Sequence, residues 1–363
     1  MIKYNPNNER VKREYYEYQK EANRKSTSTI DNIRKAIDRY EQFMDFADFK
    51  GFKKQKAVAF KKHMAQTMAK GSGKLLSKAT LNSTLRHLKD FFKWLAYQRG
   101  FKRIDVREIE YFNLSEKEAR EARVKNLKKY PSLEQISAVL ATMPSDSDVN
   151  RRDRALIAFT ALTGIRDGAL ASLKLKHIKL DQDLVEQKPG EVKTKFSKTI
   201  YTHFFPVGDE IRRIVIEWVK YLREEMLYND DDPVFPRTKM CHNENLEFQP
   251  DGLEPFHWHS AGQIRKVFKT AFASAGIEYY TPHSFRNTLV RLGEKVCRTP
   301  EEFKAWSQSL GHEQVLTTFT SYGRIDEHRQ GELLKKLNVC GADKSTNEMV
   351  KELYAEMNNR KKL

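Results

Sequence analysis

Cysteine is scarce in this 363-residue chain: there are three, Cys241, Cys297 and Cys340. They form no C-x-x-C pair and are too few for a disulfide framework, so the expected setting is a reducing cytoplasm. Long apolar runs are also lacking. The longest, ALIAFTALTGI from Ala155 to Ile165, falls far short of the roughly 20 residues a membrane span requires. The opening stretch MIKYNPNNERVKREYYEYQK is polar throughout and has no signal-peptide core. Secreted, membrane-spanning and disulfide-scaffold classes are therefore excluded as expectations. Negative charge is nearly missing from one region. Residues 50–104 carry 15 Lys and Arg against a single acid, Asp90.

Charge is what the chain does have, and it is unevenly placed. The formal net charge is +17, from 66 Lys+Arg and 49 Asp+Glu. Residues 1–130 hold 32 basic and 16 acidic residues, which leaves 34 of the 66 against 33 of the 49 for the remainder. A solvated surface usually mixes signs, whereas a stretch of one sign raises the potential over a whole face. The first third therefore reads as a polyanion-binding module. An acidic membrane surface fits less well, because no helix there pairs a basic face with an exposed apolar one. Hydrophobic residues at 39% and aromatics at 11% support folded domains, about two for this length.

Along the chain, residues 1–25 read as a loose tail. Ser26–Thr29 then caps a helical run with Ile30, Ile33, Ile37, Tyr40, Phe43 and Met44 inward. A second helix is expected from Lys53 to Lys70, with Ala57, Phe60, Met64 and Met68 inward and Lys53, Lys54, Lys61 and Lys62 outward. A third runs from Ser77 to Arg99, carries Leu81, Leu85, Leu88, Phe92 and Leu95 on one stripe, and stops at Gly100. Its Arg86, Lys89 and Lys93 share a face. Residues 26–104 thus form a small helical domain, and the charged residues 105–131 a linker ending at Pro131.

From Ser132 to the end a second domain is expected. Its helices are 132–143, 153–163, 211–226, 261–275, 284–295 and 301–309, with short β-type segments between Leu175 and Val207. The fold class is multidomain: an all-α N-terminal domain, then a mainly α (α+β) domain with one small antiparallel sheet. A last helix in NEMVKELYAEMNNRKKL would place Met349, Val350, Leu353 and Met357 on one stripe.

Two decoys are set aside. Gly71–Lys74 (GSGK) resembles the end of a phosphate loop, but the glycine needed five residues before Gly73 is Met68, and no strand precedes it. Cys241–His242 and His257–Trp258–His259 lack the spacing of metal ligands, so no metal and no cofactor is expected. Four other segments carry chemistry in combination. TGIRDGALASL places Arg166 at a turn entering an apolar helix, and EVKTKFSKT places Lys193 and Lys195 on the small sheet. TPHSFRNTL sets His283 and Arg286 one turn apart, and LGHEQVLTTFTSYGR sets His312 ten residues before Tyr322.

In that order the segments resemble the tyrosine site-specific recombinases of the phage-integrase type, from Ser132 to the end. The resemblance extends more weakly to residues 25–104, which look like that family's core-binding domain. It implies a catalytic set of Arg166, Lys193, His283, Arg286, His312 and the nucleophile Tyr322, with Lys195 and Lys198 as rivals to Lys193. It also implies a two-domain clamp on duplex DNA and a tetrameric synapse, and the expected place is the cytoplasm, associated with the nucleoid, of a bacterial or phage system. In such chemistry the arginines hold the phosphate and its transition state. The tyrosine forms a covalent 3′-phosphotyrosyl link that conserves bond energy, so neither ATP nor metal is required. Lysine protonates the leaving 5′ oxygen. The last helix could dock on a neighbouring protomer or pack on its own domain.

Two positions depart from the family pattern. Ala169 stands where an acid is usual, and Asn287 where His often follows the second arginine. A mobile-element integrase is the leading expectation. A type IB topoisomerase and a non-catalytic DNA-binding regulator are the alternatives.

Overall fold

The computed structural model describes residues 4–69, 71, 73–123, 129–194, 198–242 and 245–312. Two compact units divide the chain, Met1–Val124 and Lys125–Leu363.

The first unit is helical: α1 (Pro6–Glu21), α2 (Thr27–Phe43), α3 (Lys54–Gln66), α4 (Lys78–Ala96), α5 (Val106–Ile109) and α6 (Glu116–Arg123). Ser26 and Ser77 accept from the amides of Thr29 and Thr80, capping α2 and α4 where the sequence places those starts. Ile33, Ile37 and Tyr40 of α2 meet Leu85, Leu88, Phe92 and Leu95 of α4 in one core, with Phe60 and Met64 of α3. The core is aromatic: Tyr40 makes edge contacts with Phe60 and Phe92, each at 5.2 Å between centroids.

Three expectations fail in this unit. Residues 1–25 are not a loose tail, because α1 is capped by Asn5, which accepts from Asn7 N and Asn8 N, with Pro6 at its first position. Val11 and Tyr15 enter the core, but much of what α1 buries is polar and paired. Lys12 Nζ lies 2.6 Å from Glu41 Oε2, and Asn8 donates to Glu41 and Ala47 while accepting from Phe49 N. Secondly, α3 stops at Gln66, where Thr67 turns extended. Met68, expected inward, is instead 55% exposed and bridges Leu75. Thirdly, the supposed linker begins inside this unit, where Ile109 and Phe112 are fully buried.

Glu41→Ala is expected to lower stability by about 2–3 kcal/mol, because it strips a buried ammonium and a buried amide of their shared acceptor. Denaturant unfolding of the full chain measures this. An unchanged unfolding curve would mean that the pair does not hold α1.

The second unit begins with α7 (Leu133–Thr142), α8 (Asp148–Thr163) and α9 (Asp167–Leu170). Helix α8 starts at Asp148 rather than 153, because Ser147 caps it. Strands β1 (Ile178–Lys179), β2 (Leu184–Gln187) and β3 (Ile200–His203) form one antiparallel sheet in that order. Helix α10 (Asp209–Glu224) packs its buried face on α8. Next come β4 (Arg237–His242), β5 (Phe248–Glu254), α11 (Gly262–Ser274), α12 (Phe285–Val296) and α13 (Pro300–Ser309).

The pair β4–β5 corrects the expectation of a single sheet. Its residues are mostly exposed and the register shifts between Thr238 and Met240, so no apolar alternation announces it. Lys193 is likewise not on a strand but in the connection between β2 and β3. The core of this unit centres on α8, of which every residue from Ala155 to Thr163 is buried.

Candidate active site

The site is assembled from helix ends. Helix α8 closes at Gly164 in the left-handed region (φ 60°), where a Cβ would lie 2.7 Å from Leu289 Cδ1. Only glycine meets both demands. Two residues on, half-buried Arg166 is the N-cap residue of α9. The single turn Pro282–Ser284 then leads into α12, leaving His283 exposed and Arg286 only 2% exposed. Helix α13 is capped by Leu310, Gly311 turns the chain (φ 69°), and His312 follows, 6% exposed.

Arg286 joins these pieces. Its Nη1 donates to Gly164 O at 2.6 Å, and its Nη2 donates to Leu310 O and lies 2.9 Å from His312 Nε2. A guanidinium can only donate, so Nε2 is the acceptor and the neutral ring carries its proton on Nδ1. Burial, then the positive charges of Arg286, Arg166 and His283, push the His312 pKa down to about 3. His312 is therefore neutral at physiological pH. Arg166, His283 and Arg286, from two separated segments, thus act electrostatically on the imidazole of His312, which comes from a third.

The sheet fastens this corner. Thr202 on β3 donates to Ser309 O at 2.9 Å and accepts from Gln187 Nε2 at 3.0 Å. Trp306 donates to Leu289 O, tying α13 to α12. Neither Thr202 nor Trp306 was marked by the sequence, since each acts through backbone carbonyls. Lys193 is exposed, with its amide donating to Ser172 Oγ at 2.9 Å. Tyr322, Lys195 and the expected C-terminal helix lie outside the described residues.

Of the two departures, Ala169 is buried, and the neighbouring Asp167 turns to α11, where Arg265 binds it through Nε and Nη2 at 2.9 and 2.7 Å. Asn287 is 1% exposed, and neither of its amide atoms has a hydrogen-bond partner among the described residues. Asn287→Leu is accordingly expected to raise stability by about 1 kcal/mol, since unpaired buried polar atoms cost about 1–3 kcal/mol. A lower melting temperature for the variant would show that the amide is satisfied in solution.

On the first unit, Lys53, Lys62 and Arg86 are exposed. The other basic candidates lean on neighbours. Lys54 Nζ stands 5.7 Å over the Tyr111 ring, and Lys61 donates to Asn113 O. Lys89 and Lys93 meet Glu110 at 2.5 and 2.8 Å, and these lysines, Lys89 foremost, hold the Glu110 pKa at about 2. The charged pattern places Glu110 in a linker, whereas in the structure it covers part of the basic face of α4. Among the described residues no group of three His, Cys, Asp or Glu could hold a metal ion, and no helix is long and apolar enough to cross a membrane.

Comparison with known proteins adds a family, two relatives and two solved structures. The sequence profile of the Phage integrase family matches residues 94–329. Tyrosine recombinase XerC of Lactobacillus delbrueckii subsp. bulgaricus is 22% identical over 248 residues, 68% of this chain and 72% of its own. XerC of Natranaerobius thermophilus is 22% identical over 325 residues, 89% of this chain and 96% of its own. Among solved structures, a lambda integrase dimer bound to a COC′ core site superposes with a TM-score of 0.60 at 16% identity, covering 91% of this chain and 80% of that one. The Tn1549 transposon integrase in complex with transposon right end DNA gives 0.51 at 15% identity, covering 90% and 98%.

Proposed function

The chain belongs to the phage integrase family and is a tyrosine recombinase that cuts and rejoins DNA, and from that premise we propose how its own residues perform the reaction. Arg166 and Arg286 bind the non-bridging oxygens of the scissile phosphate and stabilise the charge that develops there. Tyr322 attacks the phosphorus as its phenolic proton passes to His283 or to a non-bridging phosphate oxygen, the Tyr–O–P bond forms, and the bond to the 5′ oxygen breaks. Lys193 gives that oxygen its proton. His312, neutral and with its proton on Nδ1, holds the Arg286 fork, while exposed His283 is placed to exchange protons. Reversal by a new 5′ hydroxyl rejoins the strand. The observation that carries this reading is the buried contact of Arg286 with His312, with the charges of Arg166 and His283 acting on the same ring.

The substrate in this reading is duplex DNA, gripped through phosphates by the basic face of the first unit. Lys53, Lys62 and Arg86 neutralise charge there, while Lys54, Lys61, Lys89 and Lys93 are oriented by their neighbours. The lambda integrase and Tn1549 integrase complexes contain DNA, and this supports the same partner here. Protomers pair on recombination sites and four of them form the synapse. The role is integration or excision of a mobile element, carried out in the cytoplasm at the nucleoid.

The experiment that tests this reading uses nicked duplexes tiled across the DNA flanking the gene, incubated with the protein and EDTA in the absence of ATP. Protein–DNA adducts stable to detergent should map to one short defined sequence. Adducts spread without sequence preference would favour a topoisomerase, and none at all would overturn the reading.

A further inference from the structure

The connection between β2 and β3 is fastened at three consecutive residues. The Glu191 carboxylate accepts from His177 Nε2 at 2.8 Å and from Lys176 Nζ at 3.0 Å. Val192 is buried at 4% exposure, and the Lys193 amide donates to Ser172 Oγ. The clasp partner is itself rigid, because His177 is 2% exposed and its Nδ1 accepts from Lys174 N at 3.0 Å. With Nδ1 accepting, the ring proton sits on Nε2 and points at Glu191. Lys176 is shared with Asp231, and Lys174 with that same carboxylate, at 3.1 and 2.9 Å.

Ser172 completes the arrangement from the other side. Its hydroxyl donates to Ala169 O at 3.0 Å on α9, whose N-cap residue is Arg166. One hydroxyl therefore links the backbone of Lys193 to the short helix that presents Arg166. An exposed lysine explores many rotamers, and a proton donor misplaced by an ångström loses much of its effect. Fixing residues 191, 192 and 193 in sequence removes the backbone share of that freedom and leaves only the side-chain torsions. An isolated surface ion pair would do little of this, but here one partner is a buried imidazole of fixed orientation.

We propose that the Glu191–His177 clasp, together with Ser172, is a positioning device that presents Lys193 to the leaving 5′ oxygen in the same frame as Arg166. The inference rests on the reading of Lys193 as proton donor. His177 and then Lys176 hold the Glu191 pKa at about 2, so the clasp stays ionised throughout the working pH range. In the step concerned, the electron pair of the breaking P–O bond leaves with the 5′ oxygen, which takes a proton from the Lys193 ammonium. The amine is left neutral.

The test compares single-turnover cleavage of an ordinary duplex with cleavage of one whose 5′-bridging oxygen is sulfur, a leaving group that departs without a proton. Lys193→Ala should lose about 10²–10⁴-fold on oxygen and recover on sulfur. Glu191→Ala and Ser172→Ala should each lose about ten- to a hundredfold on oxygen and also recover on sulfur. Glu191→Gln, whose amide oxygen still accepts from His177, should fall between wild type and Glu191→Ala. Equal losses on both substrates would make the clasp merely structural and overturn the inference, as would wild-type rates for both Glu191→Ala and Ser172→Ala. If Lys193→Ala alone keeps the wild-type rate on oxygen, the proton-donor reading falls, and the inference with it. Should Glu191→Ala not fold, Ser172→Ala and Glu191→Gln carry the same comparison.

Discussion

With Tyr322 replaced by phenylalanine, the protein is expected to form no covalent adduct with DNA while binding the same duplex with nearly unchanged affinity. The substitution removes one oxygen and almost no volume, so the change is confined to the nucleophile. Affinity comes from elsewhere. Residues 50–104 offer 15 basic side chains against one acid, and binding through phosphates follows the number of cations that displace counterions. A nicked suicide duplex, from which the leaving strand diffuses away, traps the adduct in the wild-type protein and reads the first half. A mobility-shift titration at several salt concentrations reads the second half, with equal slopes expected for both proteins. An adduct formed by the phenylalanine variant would remove Tyr322 from the mechanism.

Arg286 should give the second large effect, and two substitutions separate its two duties. Arg286→Lys retains a positive charge but loses the planar fork, and is expected to slow single-turnover cleavage by about 10²–10³-fold, the range for losing a transition-state donor. Arg286→Ala should cost several orders of magnitude in rate. It also leaves Gly164 O, Leu310 O and His312 Nε2 without their buried donor. Each such loss costs about 1–3 kcal/mol, so the alanine variant should melt at a clearly lower temperature. A variant with normal stability and normal rate would show that the guanidinium serves neither phosphate nor fold.

How far the sequence could be read depended on what kind of burial each segment makes. The stripes of α2 and α4 are apolar, and the expected inward residues Ile33, Ile37, Leu85 and Leu88 are buried. Periodicity reports apolar burial and nothing else. Helix α1 escaped because Asn8, Lys12 and Gln19 are buried as polar groups, which a hydropathy pattern scores as surface. Glu110 escaped for a related reason: a short charged segment reads as linker until the basic face it neutralises is placed beside it. Spacing within a motif survives without any knowledge of packing, so Arg166, His283, Arg286 and His312 could be singled out as candidates, and the structure brings the charges of the other three to bear on His312. The register of the lysine connection could not be, since it is set by Glu191 and His177, fourteen residues apart in sequence, and by a serine hydroxyl on another segment.

The two carbonyls that hold Arg286 belong to Gly164 and Leu310, the C-cap residues of α8 and α13. A helix gathers partial negative charge at its carboxyl end, equivalent to roughly half an electron. Two such ends converge on one guanidinium, so the macrodipoles act together as a built-in counter-charge of about one unit. The cation can thus be taken out of water while the chain folds, well before any phosphate arrives. In the proposed reading, a docking phosphate would meet a donor whose direction is already set, with little of the encounter energy consumed in reorganising the protein around it.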